Sequence, residues 1–205
     1  KGVMHTHKSL AWEVWHVADG LAINAGGVTM GFLPPWHVAE RLIESVSFTR
    51  GVAIAFTSVA TLAKDLQEAR PTFLLSVPRV WESFYNKVID GVKKASPLAQ
   101  KIFNFARWSA MHYSLEKDIL ANIKYRLDKP SALFHLCRRP LALVNLALLF
   151  VPNLLAQVIL GKVRKGLGGR VQFALSGAGA LPEHIDRFFY SIGIAIVETY
   201  GMTET

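Results

Sequence analysis

The sequence has little cysteine and little charge. Cys137 is the only cysteine among 205 residues, so no disulfide can form within the chain, which excludes the disulfide-rich secreted scaffolds. Charged residues make up 19% of the chain, against about 25% in an average soluble domain. Hydrophobic residues make up 51%, which is enough for a packed core and excludes a disordered or collagen-like chain. We therefore expect an intracellular globular protein.

The net charge of +8 is unevenly distributed. Residues 87–170 carry 15 basic and 4 acidic side chains, whereas the rest of the chain has a small acidic excess. A basic excess confined to one stretch indicates an anionic partner such as a membrane surface, a phosphorylated ligand or an acidic carrier protein, or else a solvated face. No nucleic-acid-binding motif accompanies these residues, so we expect no nucleic acid.

Short apolar runs alternate with stretches of helical periodicity over much of the chain. This pattern predicts an α/β fold with mostly parallel sheets flanked by helices. The predicted strands lie at residues 27–33, 52–56, 72–77, 171–175 and 194–199. Predicted helices occupy 37–48, 57–68, 78–92, 97–127 and 182–192. Ligands of such folds bind beyond the carboxyl ends of the strands, so the residues after each strand are the candidate site.

The segment ALSGAGALPEHI reads as a strand, a glycine turn and the start of a helix. Such a turn brings backbone amides close to an anion or a flat ring, although a purely structural turn would have the same sequence. Ser176 does not fit a nucleophile elbow, because that motif requires glycine two residues earlier and position 174 is alanine. We therefore exclude a serine hydrolase.

The terminal segment ETYGMTET places an aromatic ring, a hydroxyl and a carboxylate after the last strand. The Tyr200 ring can stack on a base, the Thr203 hydroxyl can bind a phosphate, and the Glu204 carboxylate can hold Mg²⁺ beside phosphate oxygens. These residue types in this order indicate a nucleotide site.

Five segments together resemble the adenylate-forming, AMP-binding enzymes. ETYGMTET resembles their tyrosine-glycine-x-threonine-glutamate motif, and the opening KGVMHTH is similar to the end of their phosphate loop. FLPPWHVAER, FLLSVPRVWE and GGRVQFALSGAGALP resemble the long-chain fatty acyl-CoA synthetase branch. The proline-proline-tryptophan-histidine version and the long apolar insertion are similar to plastid and cyanobacterial members that use acyl carrier protein.

The resemblance implies ATP-dependent activation of a long-chain fatty acid. The carboxylate attacks the α-phosphate of ATP to give an acyl-adenylate, and a thiol then displaces AMP. Charge on phosphate must be neutralised in both steps, so ATP, Mg²⁺ and coenzyme A or acyl carrier protein are the implied cofactors and partners.

The resemblance also assigns roles to residues of this chain. Lys1 belongs to the phosphate loop, and His37 lies near the reacting carboxylate. Thr203 contacts phosphate and Glu204 holds Mg²⁺. The adenine and acyl side is formed by Gly177, Ala178 and Gly179, and the adenine ring is flanked by Glu198, Thr199, Tyr200 and Gly201.

The family pattern extends beyond both ends of this sequence. The body of the phosphate loop, the ribose-binding aspartate and the C-terminal domain are missing, so we expect a fragment that is inactive alone. Residues 1–205 are then part of an AMP-binding domain, and residues 96–165 are a helical, basic and apolar insertion within it. The expected location is the cytoplasm, either free or at a membrane surface, or the plastid if the source is a plant.

Several histidines and the cysteine invite other interpretations. His5 and His7 are spaced to lie on one side of a strand and could bind a metal with His16, but no further ligands complete a tetrahedral site. Cys137 could be a reactive thiolate, yet a lone cysteine beside an apolar run more often packs. Arg79 and Glu82 read as a structural pair at the start of a helix.

Residues 140–161 contain no charge and are long enough to cross a bilayer. Against spanning, Pro152 interrupts the run and Asn145, Asn153 and Gln157 fall on one side of a helical wheel. We expect a broken apolar hairpin that lies on a membrane or packs on the sheet. A non-enzymatic, membrane-associated protein is the alternative outside the enzyme class, and an acyl-acyl carrier protein synthetase is the alternative within it.

Overall fold

The computed structural model describes residues 2–21, 23–123 and 132–204, with side chains in the last range described from residue 137. Within these ranges the chain forms seven helices and five strands. In chain order they are α1 (His7–Gly20), β1 (Val28–Gly31), α2 (Val38–Arg50), β2 (Ala53–Phe56), α3 (Leu62–Ala69), β3 (Phe73–Ser76), α4 (Pro78–Lys93), α5 (Pro97–Ala121), α6 (Ala132–Gly166), β4 (Phe173–Ser176), α7 (Glu183–Ser191) and β5 (Ala195–Glu198).

The strands form two parallel sheets. β1 pairs with β2, and the second sheet has the order β3-β4-β5. The two sheets are linked where the backbone N–H of Thr72 donates to the carbonyl of Val28 over 2.7 Å. All three strand pairs in the described residues are parallel, which confirms the predicted α/β fold with parallel sheets flanked by helices. Each predicted strand is present, although each is shorter than its apolar run.

The chain divides into two compact units. The first contains residues up to 84 together with 163–182 and the chain from 194 onward, and thus all five strands. The second contains residues 85–162 and 183–193, and thus α5, most of α6 and α7.

The core of the first unit lies between α1, α2 and the sheets. Val14 and Ala18 of α1 pack with Ile43 and Val46 of α2 and with buried side chains of the strands, among them Phe73. Burial of such side chains stabilises the fold by about 1.5–3 kcal/mol each. This packing fixes α1 and α2 over one side of the strands.

Helix α1 was not predicted from the sequence. Thr6 caps it, since its hydroxyl accepts a hydrogen bond from the backbone N–H of Ser9 at 3.1 Å, and Ser9 reciprocates. The interpretation of His5 and His7 as neighbours on a strand is therefore wrong, because the chain turns into a helix at His7. No cluster of three or more His, Cys, Asp or Glu side chains that could hold a metal occurs in the described residues.

The prediction of a broken apolar hairpin is also wrong. α6 is one continuous helix of 35 residues with Pro140 and Pro152 inside it. Each proline removes a backbone hydrogen bond and costs about 3 kcal/mol in a helix interior. Contacts with the other helices of the second unit offset this cost, because Arg138, Asn145 and Gln157 all bond to groups on α5 or α7.

The polar side chains of α6 face the other helices of its unit. Asn145 donates to the carboxylate of Glu116 at 2.8 Å, and Arg138 forms an ion pair with the same carboxylate at 2.9 Å. Gln157 donates to the backbone carbonyl of Ser191 at 2.9 Å. The side of α6 that carries the asparagine and glutamine side chains thus faces the other helices of its unit. In a soluble protein the apolar side of a helix usually faces inward, so we call this arrangement the reversed polarity of α6.

The opposite side of α6 is exposed and apolar. Its exposed side chains are Leu141, Leu143, Val144, Leu148, Phe150, Val151, Leu154, Leu155 and Val158. The segment Cys137–Gly166 has a mean hydropathy of 2.1 over its most apolar window, of which 11% is buried. By length and composition it could cross a membrane.

Candidate active site

A cavity of about 610 Å³ lies in the first unit, beyond the carboxyl ends of β3, β4 and β5. The predicted site residues that line it come from three different loops. They are His37, Gly177, Ala178, Thr199, Tyr200, Gly201, Thr203 and Glu204. The expectation that the residues following the strands lie at one edge is thus met in the structure.

The glycine turn after β4 allows two loops to approach closely. A Cβ atom at Gly177 would lie 2.9 Å from the Thr199 hydroxyl oxygen, so the position has no room for a side chain. The backbone N–H of Thr199 donates to the Ser176 carbonyl at 2.8 Å, and that of Gly177 donates to the Ser76 carbonyl at 3.1 Å. Ala178 has φ +66°, a conformation rare outside glycine that concentrates at functional sites.

The loop after β5 presents the three side chains expected to hold a nucleotide. Tyr200 is 96% exposed, so both faces of its ring are open for stacking. Thr203 is half-buried and Glu204 is exposed at the cavity. The backbone carbonyl of Thr203 lies 2.5 Å from Nε2 of His5, which ties this loop to the segment before α1.

His37 caps α2. Its Nδ1 accepts a hydrogen bond from the backbone N–H of Ala39 at 3.2 Å, and its own backbone N–H donates to the Pro34 carbonyl at 2.9 Å. Because Nδ1 acts as an acceptor, the neutral ring carries its proton on Nε2. His37 can therefore offer an Nε2–H donor to a ligand in the cavity.

The remaining wall of the cavity is apolar. Its side chains come from α1, from the loop before α2, from α2 itself and from the strand ends. They are Val17, Leu21, Leu33, Leu42, Ile43, Leu75 and Leu175. One cavity thus combines a large apolar wall with a polar rim, a composition suited to a ligand with an apolar body and a charged head.

Two of the predicted site residues that the structure describes are not in the lining. Gly179 follows the glycine turn, where a Cβ atom would lie 3.8 Å from Pro78. Glu198 is the exposed last residue of β5 and pairs in register with Ser176. Lys1 lies outside the described residues.

The residues present suit Mg²⁺ and a nucleotide. Glu204 offers an exposed carboxylate that has no hydrogen-bond or ion-pair partner in the described part of the chain, and Mg²⁺ favours one or two carboxylates together with water and phosphate oxygens. The exposed ring of Tyr200 offers a surface on which a flat base can stack.

Sequence reasoning missed the contribution of the N-terminal segment to this site. Glu13, Val17 and Leu21 line the cavity from α1, and His5 holds the terminal loop. The helical spacing of Val14, Val17, Ala18 and Leu21 was a usable signal for α1. The contact of His5 had no local signal, because its partner lies 198 residues away.

Comparison with known proteins identifies the family. The profile of the AMP-binding enzymes matches residues 1–205. The chain is 30% identical over 207 residues to the probable acyl-activating enzyme 16, chloroplastic, of Arabidopsis thaliana, covering all of this chain and 29% of that protein. It is 31% identical to the long-chain-fatty-acid–[acyl-carrier-protein] ligase AEE15, chloroplastic, of the same plant, covering 100% of the chain and 28% of that protein.

A relative from an animal gives a similar result. The chain is 31% identical over 219 residues to the long-chain-fatty-acid–CoA ligase ACSBG2 of Rattus norvegicus, again with 100% of the chain and 28% of that protein covered. The chain thus spans less than a third of the length of these curated relatives.

Solved structures share the fold. The N-terminal domain of FACL13 from Mycobacterium tuberculosis superposes with a TM-score of 0.55 at 16% identity, covering 100% of this chain and 34% of that one. The AMP-bound didomain of carboxylic acid reductase from Segniliparus rugosus gives a TM-score of 0.57 at 23% identity, covering 99% and 22%. Since the family profile matches along the whole chain, this chain belongs to the family of AMP-binding enzymes.

Proposed function

We propose that the full-length protein containing this chain activates long-chain fatty acids through an acyl-adenylate and transfers the acyl group to the thiol of coenzyme A. One observation carries the proposal: the apolar wall from α1 and α2 lines the same cavity as His37 and the loop Tyr200–Glu204. An apolar wall of this extent suits an acyl chain, and the polar rim suits its carboxylate and a nucleotide.

The site residues receive roles in this proposal. Adenine stacks on Tyr200 between the loop after β5 and the glycine turn. The Thr203 hydroxyl donates a hydrogen bond to a phosphate, and the Nε2–H of His37 donates a hydrogen bond to the fatty-acid carboxylate. The adenine pocket further includes Gly177, Ala178, Gly179, Glu198, Thr199 and Gly201, and Lys1 belongs to the phosphate-binding group.

The chemistry needs positioning and charge neutralisation more than it needs a protein nucleophile. A carboxylate oxygen of the fatty acid attacks the α-phosphorus of ATP, and pyrophosphate leaves. A thiol sulfur then attacks the acyl carbonyl, and AMP leaves. Mg²⁺ held by Glu204 would neutralise charge on the phosphate oxygens, and the donors of Thr203 and His37 hold the reacting groups in place.

The thiol acceptor has two candidates. Coenzyme A is the acceptor named for ACSBG2, whereas acyl carrier protein is named for AEE15. We propose coenzyme A as the acceptor and acyl carrier protein as the alternative. The names of two relatives include "chloroplastic", which supports a plastid location if the source is a plant. For any other source we propose the cytoplasm.

The full-length protein is expected to exchange labelled pyrophosphate into ATP when a fatty acid is supplied. The exchange requires reversible formation of the acyl-adenylate and needs no thiol, so it tests the first step alone. A panel of acids from about 8 to 18 carbons should show a preference for long chains, because the cavity wall is apolar over its length. Absence of exchange with every acid would contradict the proposed function.

We propose that residues 96–165 form a helical insertion in the AMP-binding domain that contacts an anionic membrane. The support is the reversed polarity of α6, whose polar side chains bond within its unit while nine large apolar side chains are exposed. Arg139, Lys162 and Lys165 are exposed at the two ends of this apolar face. Each basic residue near an anionic bilayer contributes about 1 kcal/mol of binding.

Liposome flotation of the full-length protein should show binding that requires anionic lipid. Changing Arg139, Lys162 and Lys165 to glutamine should weaken binding on the order of a hundredfold, since about 3 kcal/mol of attraction is lost. Arg138 is left intact because it forms an ion pair with Glu116. The matched control changes Lys64, Lys87 and Lys94, which are exposed and lie outside residues 96–165, and should bind as the wild type does.

Two results would contradict peripheral binding. If the protein floated with neither anionic nor neutral vesicles, another part of the protein would cover the apolar face. Resistance to carbonate extraction would mean that α6 spans the bilayer.

A further inference from the structure

His5 joins the segment before α1 to the loop after β5. Its Nε2 atom lies 2.5 Å from the backbone carbonyl oxygen of Thr203. A carbonyl oxygen only accepts hydrogen bonds, so Nε2 of His5 carries a proton and is the donor. The two residues are 198 positions apart in the chain, so this bond forms only in the folded protein.

The loop after β5 has few other hydrogen bonds. Thr199 is held where the loop begins, because its backbone N–H and its hydroxyl donate to the Ser176 carbonyl at 2.8 and 3.3 Å. Among the residues that the structure describes, the bond from His5 is the only hydrogen bond that reaches residues 200–204. Without it, this loop would have no hydrogen bond to the rest of the described chain.

The acceptor is the peptide group between two of the proposed nucleotide residues, Thr203 and Glu204, which both line the cavity. The peptide bond is planar, so the Cα atom of Thr203, the carbonyl group and the Cα atom of Glu204 lie in one plane. Fixing the carbonyl oxygen therefore restricts the directions in which both side chains leave the backbone. One hydrogen bond can thus orient the Thr203 hydroxyl and the Glu204 carboxylate together.

The donor is itself fixed in place. His5 is half-buried and directly precedes Thr6, which caps α1 by accepting a hydrogen bond from the Ser9 N–H. Helix α1 is held in turn by Val14 and Ala18, which pack in the core of the first unit. The position of His5 is therefore set by a capped and packed helix, which gives the loop after β5 a firm point of attachment.

We infer that His5 is a positioning residue, which holds the peptide group between Thr203 and Glu204 and thereby orients both side chains for binding ATP phosphates and Mg²⁺. The inference rests on the proposed function for its effect on adenylate formation. It assigns no direct contact between His5 and substrate.

The kinetic test measures pyrophosphate exchange by the full-length protein. His5→Phe keeps an aromatic ring and removes the donor, so kcat/KM for ATP should fall about tenfold or more, since small displacements of a positioned group cost up to about a hundredfold. More Mg²⁺ should also be needed for half of the maximal rate. His5→Gln supplies an amide N–H donor and should recover most of the loss. The KM for the fatty acid should stay within about twofold in both variants, because His37 and the apolar wall lie outside the loop after β5.

The matched control is His16→Phe, which should leave the kinetics within about twofold of the wild type. His16 is an exposed histidine of α1 that bonds to the Trp12 carbonyl of its own helix and does not line the cavity. If His5→Phe does not fold, His5→Ala takes its place, because it also removes the donor. Equal losses in the phenylalanine and glutamine variants, an equal rise in the KM for the fatty acid, or no loss at all would overturn the inference.

A second measurement reports the loop without ATP, Mg²⁺ or any activity. Tyr200 lies in the same loop and its side chain is exposed, so the ¹⁹F resonance of 3-fluorotyrosine at this position, assigned with Tyr200→Phe, reports the conformation of the loop. His5→Phe should shift or broaden this resonance, and His5→Gln should leave it as in the wild type. An unchanged resonance in His5→Phe would overturn the inference, whereas lack of exchange in the wild type would overturn only the proposed function.

Discussion

Replacement of Glu204 with glutamine should lower the rate of adenylate formation on the order of a hundredfold or more, with the fold intact. Glutamine preserves the size of the side chain and removes the charge that a divalent cation requires. The side chain is exposed, so the change leaves no buried group without a partner and no cavity. The loss should therefore appear in catalysis and not in stability.

The measurement is fatty-acid-dependent pyrophosphate exchange over a range of Mg²⁺ concentrations. The Glu204 variant should need more Mg²⁺ than the wild type to reach half of its maximal rate. Glu68→Gln is the matched control, since Glu68 is an exposed glutamate of the first unit, on α3, and does not line the cavity. If the rate at limiting Mg²⁺ were unchanged, Glu204 would not be a metal ligand and the assignment of the terminal motif would fall.

Substitution of Gly168 by alanine should destabilise the full-length protein by about 3 kcal/mol or more. Gly168 has φ +89°, and a Cβ atom there would lie 2.5 Å from the Leu66 carbonyl oxygen and 2.9 Å from the Arg70 Cα atom. Both are backbone atoms, so the clash is relieved only if the end of α3 and the segment between α6 and β4 move apart. Such movement would disturb the entry to the central strand of the second sheet.

Gly169 provides a control for backbone conformation. Its φ is +76°, but the nearest atom to an added Cβ is the Lys165 Cα at 3.8 Å. Gly169→Ala should therefore cost only the conformational penalty of about 1–2 kcal/mol. Thermal or denaturant unfolding of both variants separates the two terms, and equal losses of stability would contradict the close approach at Gly168.

The parallel α/β framework could be predicted from the sequence because each buried strand is a short apolar run between helical stretches. The loops that line the cavity could be located for the same reason, since each follows a predicted strand. The assignments to His37, Tyr200, Thr203 and Glu204 came from motif resemblance, and their chemical roles stay predictions. The structure adds that these four residues line one cavity.

The errors have physical causes. α6 was expected to break because prolines lose hydrogen bonds in helices, yet its tertiary contacts with α5 and α7 outweigh that local preference. The burial of Glu40 could not be predicted from its residue type, because charged side chains are mostly exposed. Its position was the available signal, since it lies three residues before buried Ile43 and six before buried Val46 on the inner side of α2. The contact of His5 with Thr203 depends on the complete fold and has no counterpart in local sequence.

The pairing of β3 with β4 affects the order in which the chain can fold during synthesis. Phe73 pairs with Phe173, so about 100 residues must be made before this sheet can begin to close, or roughly 5–20 seconds of translation at ribosomal rates. Helices α5 and α6 emerge within that interval. The exposed apolar face of α6 is therefore complete before the loops after β4 and β5, which we propose to bind the nucleotide, have been made. A chaperone or a bilayer that binds this face can thus do so before the cavity has formed.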